Sequence, residues 1–86
     1  MPVLLHVDDN ASIRYARSRT LSSAGYTVID LETGEEALDV ATASAPDGIL
    51  LDVRLPGMDG FATARALRQN PRLLDVAIVL ITSGAV

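Results

Sequence analysis

The stretch Ile49-Leu50-Leu51-Asp52-Val53-Arg54-Leu55-Pro56-Gly57-Met58-Asp59-Gly60 decides how the rest of the chain is read. Ile49 to Val53 is an apolar run broken only by Asp52, the pattern of a strand buried on both faces of a parallel sheet. A carboxylate at the end of such a run is costly to bury without compensation, so Asp52 stands out as a functional position at the carboxyl end of the strand. Leu55 to Gly60 is a turn-rich loop. A helix is predicted from about Phe61 to Gln69, ended by Asn70-Pro71, because the residue before a proline disfavours the helical region.

Working outward, Val3 to Val7 is a second nearly continuous apolar run, and it ends in Asp8-Asp9-Asn10. Asn10 can cap a helix from Ala11, with an inward stripe of Ile13, Ala16, Thr20, Leu21 and Ala24 and a left-handed stop at Gly25. Tyr26 to Leu31 reads as a strand. Thr33 and Glu36 stand at capping-box spacing before Ala37, Leu38 and Ala41, and Pro46-Asp47 ends that helix. Ala77 to Thr82 is the fourth strand, leading into Ser83-Gly84. Strand and helix alternate throughout with no linker, which predicts one α/β domain over residues 1–86, a parallel sheet with helices on both faces.

Parallel strands present their carboxyl ends on one edge, where ligands bind at the point of reversed strand order. If the first and third strands are neighbours, Asp8, Asp9 and Asp52 converge there. Three carboxylates at close range repel unless a cation neutralises them, and an all-oxygen, partly open site suits Mg²⁺. A carboxylate beside such an ion can act as a nucleophile towards phosphorus. Thr82, at the end of the fourth strand, could donate its hydroxyl to a phosphoryl oxygen.

Val7-Asp8-Asp9-Asn10, the Ile49 to Gly60 segment and Ile81-Thr82-Ser83 together resemble the receiver domains of two-component response regulators. Ala24 to Val28 and Thr33 to Leu38 resemble that family's second strand and second helix. The resemblance implies a flavodoxin-like doubly wound parallel sheet, here its first four strands and three helices. It implies that Asp52 is the phosphoacceptor, served by a histidine kinase, and that Mg²⁺ is held by Asp9, Asp52 and the backbone carbonyl of Arg54, with Asp8 acting through a water. Thr82 would be the switch hydroxyl, Pro56 and Gly57 would shape the loop, and Gly60 would let the third helix start tightly.

A complete receiver goes on to a fourth helix, a fifth strand bearing a Lys that pairs with the phosphoryl group, and a fifth helix. The chain contains no Lys and reaches Val86 just past the fourth strand. The expectation is therefore an exposed fourth-strand edge that invites self-association, and a second functional reading as an interaction or assembly module that is not phosphorylated. An aspartate-nucleophile phosphatase is disfavoured because the first strand ends in adjacent aspartates rather than Asp-x-Asp. Dinucleotide binding is disfavoured because no glycine fingerprint follows that strand.

The remaining features read more plainly. His6 is expected to be a hydrogen-bonded core histidine, Glu35 and Glu36 capping and solvated charges, and Asp59 a turn residue. Arg17 falls beside the inward stripe of the first helix, where the family usually has an aliphatic; the readings are a snorkelling side chain or a contact with a partner chain. Apolar residues make up 49% of the chain and charged ones 21%, the balance of a globular domain. With two Tyr and one Phe, the core is left to aliphatics. A net charge of −4 argues against a nucleic-acid partner. There is no cysteine, no basic leader and no run of membrane-spanning length, so a soluble cytoplasmic protein is expected, without disulfides or membrane contact.

Overall fold

The computed structural model describes residues 1–82; Ser83 and Gly84, placed after the fourth strand by the sequence, lie outside the described residues. Four strands, β1 (Val3–Val7), β2 (Thr27–Leu31), β3 (Gly48–Asp52) and β4 (Ala77–Ile81), pair in parallel in the order β2-β1-β3-β4. Between them run α1 (Ala11–Ser23), α2 (Gly34–Ser44) and α3 (Gly60–Arg68), followed by a 3-10 turn at Pro71–Leu73. This is the flavodoxin-like arrangement. Strand order reverses between β1 and β3, the position at which open parallel sheets of this kind bind their ligands.

Register and alternation explain which residues fill the core. Leu5 stands opposite Ile49, and Val7 opposite Leu51. These four side chains, spaced two apart on each strand, share one face of the sheet. There they pack with Ala37 and Ala41 of α2 and Leu67 of α3, all fully or almost fully buried. Leu55, Leu73 and Val76 close the cluster. The opposite face of β1, carrying Leu4 and His6, receives α1.

Local chemistry sets the helix ends. Asn10 caps α1 by accepting from the Ile13 amide at 3.0 Å. Thr33 and Glu36 form the reciprocal capping box of α2, and the Asp59 carboxylate caps α3 through the Ala62 amide at 2.8 Å. At Gly60 the chain has no room for a side chain: a Cβ would run into the Asp52 carbonyl oxygen and the Val53 backbone. The tight entry into α3 thus brings its first turn against the end of β3. Gly57, at φ +69°, makes the turn before it in the left-handed region that glycine favours.

The inward stripe expected on α1 requires correction. Ile13, Ala16, Thr20 and Ala24 are exposed, Leu21 is half-buried, and no residue of α1 is fully buried. The side chain that reaches in from this helix is Arg17. Smaller shifts occur at the ends: Tyr26, Val53 and Thr82 fall just outside the strands, and α3 begins at Gly60 rather than Phe61. The stop of α2 is Ala45, a left-handed residue at φ 45°, one position before Pro46.

Candidate metal centre

The first carboxylate is fixed by β1 and α1 together. The Asp8 backbone amide still donates to Leu31 O of β2 at 3.1 Å, so the residue prolongs the sheet by one step. Asp8 Oδ1 accepts the Asn10 amide at 2.9 Å, and Oδ2 accepts from Arg17 Nη1 at 3.2 Å. The Asp8 carbonyl accepts from Arg14 Nη1 at 2.7 Å. Asp8 is fully buried, and these contacts supply what burial of a charge demands. Asp9, the next residue, is exposed.

Asp52 comes from the neighbouring strand. Because Val7 pairs with Leu51, the residues that follow them, Asp8 and Asp52, stand side by side at the edge. Asp52 is only 3% exposed, and its Oδ1 accepts the Arg54 amide at 3.0 Å. One carboxylate oxygen from each of Asp8, Asp9 and Asp52 lies within 4.8 Å of the others. Two oxygens bound to one Mg²⁺ at about 2.1 Å can be no more than about 4.2 Å apart, so a small side-chain adjustment, or a water in place of one direct bond, suffices. The donor set is all oxygen and carries three negative charges, which fits a hard divalent cation.

The other residues singled out in the sequence fall around this trio. Arg54 follows in the exposed start of the β3–α3 loop, and Pro56 and Gly57 are exposed further along it. Glu35 Oε2 accepts from the Met58 amide at 3.4 Å, a long contact that leans α2 on that loop. Gly60 N–H donates to Val53 O at 3.0 Å. Thr82 lies one residue beyond Ile81, the register partner of Asp52, and is exposed. His6 stands apart from the trio and is fully buried. Its Nδ1 lies 3.1 Å from Asp30 Oδ1 and its Nε2 3.3 Å from Arg17 Nη1. A guanidinium can only donate, so Nε2 accepts and Nδ1–H donates to Asp30.

The sequence alone does not mark Arg14 and Arg17 as neighbours of the acidic residues. Their i,i+3 spacing places both on the same side of α1, and that was the available signal.

A parallel α/β sheet with three aspartates gathered at its strand-order reversal defines a flavodoxin-like module with an acidic cluster at the carboxyl edge of its strands. Comparison with known proteins narrows the class: the response regulator receiver domain matches residues 4–85, and the chain belongs to that family. It is 42% identical over 73 residues to the DNA-binding transcriptional regulator NtrC of Klebsiella pneumoniae, covering 85% of this chain and 16% of that protein. It is 39% identical over 84 residues to the response regulator MprA of Mycolicibacterium vanbaalenii, covering 96% of this chain and 36% of that one. The chain thus spans a small part of these relatives. Among solved structures, the chemotaxis response regulator CheY4 of Vibrio cholerae superposes with a TM-score of 0.92 at 37% identity, over all of this chain and 72% of that one. Among the described residues, no helix is long and apolar enough to cross a membrane.

Proposed function

We propose that this chain is the phosphoacceptor module of a two-component phosphorelay, in which Asp52 receives a phosphoryl group from the phosphohistidine of a histidine kinase. The observation that carries the reading is the meeting of Asp8, Asp9 and Asp52 within 4.8 Å at the β1–β3 crevice of a receiver domain. Asp9, Asp52 and the Arg54 carbonyl would hold Mg²⁺, with Asp8 acting through a water. Bound Mg²⁺ supplies positive charge against the phosphoryl oxygens.

The protein's own contribution is mostly position. The Arg54 amide donates to Asp52 Oδ1 at 3.0 Å and so orients the carboxylate, one oxygen of which attacks phosphorus through a lone pair. The O–P bond forms as the P–N bond breaks; the imidazole nitrogen leaves with the electron pair, and an acyl phosphate remains on Asp52. Thr82 donates its hydroxyl to a phosphoryl oxygen and reports the modified state. Pro56, Gly57 and Gly60 shape the loop beside the acceptor. The module works in the cytoplasm and, apart from its own phosphorylation and dephosphorylation, turns nothing over. Neither nucleic acid nor membrane is its direct partner.

Intact-mass analysis after incubation with acetyl phosphate and Mg²⁺ tests this. Wild type gains one phosphoryl group and Asp52→Asn gains none. A wild type that binds Mg²⁺ normally yet gains no mass overturns the reading.

A second reading, an interaction module that is not phosphorylated, is favoured by one observation: Val79 and Leu80 are 52% and 37% exposed on the edge strand β4. Beryllofluoride with Mg²⁺, a mimic of an acyl phosphate, separates the two. Amide shifts at Asp52 and Thr82 support phosphoacceptance, and an unchanged spectrum leaves the interaction module.

A further inference from the structure

We propose that Arg17 is a resident counter-cation of the metal centre, which holds Asp8 in place before Mg²⁺ arrives and lowers the affinity with which Mg²⁺ binds. The inference rests on the metal-centre reading above and assigns a role to a side chain that takes no part in it.

The observation is the placing of one guanidinium against two fully buried groups. Arg17 Nη1 donates to Asp8 Oδ2 at 3.2 Å and to His6 Nε2 at 3.3 Å, while His6 is anchored to Asp30 at 3.1 Å. The Arg17 side chain itself is 25% exposed, and Asp8 is wholly inaccessible. Asp8 Oδ1 accepts the Asn10 amide and Oδ2 accepts from Arg17, so each oxygen of this buried carboxylate already has a donor without a metal.

Two consequences follow from electrostatics. A buried carboxylate needs a partner, and Arg17 provides one whether or not a metal is bound. The same positive charge repels a divalent ion approaching the carboxylate it is bonded to. Replacing Arg17 with a neutral side chain of similar length reverses both: Asp8 loses its resident cation, and the centre binds Mg²⁺ more tightly. A bridge that served structure alone would instead weaken the fold equally with and without Mg²⁺ and leave the affinity untouched.

The test is Mg²⁺ titration of wild type, Arg17→Gln and Arg17→Lys, followed by amide NMR and by the thermal midpoint with and without Mg²⁺. Arg17→Gln is expected to bind Mg²⁺ on the order of tenfold more tightly. Its thermal midpoint rises more on adding Mg²⁺ than that of wild type, because tighter binding to the native state stabilises it more. Arg17→Lys, which keeps the charge, stays near wild type. An Arg17→Gln affinity equal to or weaker than wild type overturns the proposal, as does a variant that stays unfolded at saturating Mg²⁺. Should wild type itself fail to bind Mg²⁺, the metal-centre reading falls first and the role of Arg17 with it.

Discussion

Asp8 and Asp9 are adjacent in the chain and live in opposite surroundings. Asp8 is buried between two arginines of α1, whereas Asp9 is exposed at the mouth of the crevice. Neutralising each should therefore do different things. Asp9→Asn removes an exposed charge, so stability without Mg²⁺ is expected to stay within about 0.5 kcal/mol of wild type or rise slightly. On the proposed reading, in which Asp9 is a direct ligand, Mg²⁺ affinity should fall by roughly tenfold or more. Asp8→Asn strips a half-buried guanidinium of its carboxylate and is expected to cost about 1–3 kcal/mol. Urea unfolding of both variants, paired with Mg²⁺ titration, checks the contrast; equal stabilities would mean that the Asp8–Arg17 contact contributes nothing. The convergence of the three aspartates was legible from the apolar runs that end in them. The pairing of Asp8 with Arg17 was not, because the two are nine positions apart on different elements, and helical periodicity cannot tell that a long cationic side chain turns back to the sheet.

At the scale of elements, capping chemistry was readable and burial on α1 was not. Thr33 and Glu36 announce the start of α2, and the structure closes the box with Glu36 N–H donating to Thr33 Oγ1 at 3.1 Å. For α1, the spacing of Ile13, Ala16 and Thr20 suggested a stripe against the sheet. Those residues instead line a shallow exposed groove together with Arg17. The reason is physical: Ala and Thr add so little apolar area that an Arg meeting buried His6 and Asp8 outweighs them in setting the helix rotation. The two ends of α2 give the test at this scale. Thr33→Ala loses a cap and is expected to destabilise by about 1 kcal/mol. Ala45, at φ 45°, holds a conformation that costs a residue with a Cβ roughly 1–2 kcal/mol. Ala45→Gly relieves it and gives back part through a more flexible unfolded chain, for a net gain of about 0.5 kcal/mol. Chemical denaturation measures both, and a destabilised Ala45→Gly would contradict the left-handed cap.

Across the whole molecule, the acidic trio sits in the interior of the sheet order, between β1 and β3, while among the described residues β4 forms an edge. One side of β4 is paired with β3 from Ala77 to Ile81. Among the described residues nothing pairs its other side. Unpaired backbone groups beside exposed Val79 and Leu80 make a template for a second copy of the chain. Two identical strands related by a two-fold axis run antiparallel, so the middle residue of each faces its own copy. In β4 that residue is Val79. Val79→Lys would set two ammonium groups opposite each other, and like charges in such a cross-strand pair are destabilising. Sedimentation velocity is expected to show concentration-dependent dimers for wild type, monomers for Val79→Lys or Val79→Glu alone, and restored dimers when the two variants are mixed. The mixing step matters because a charge on an edge strand could abolish association simply by raising solubility, and only a pairing centred on Val79 predicts that opposite charges rescue it. Wild type that remains monomeric throughout, or variants that stay apart when combined, would remove β4 as a contact surface.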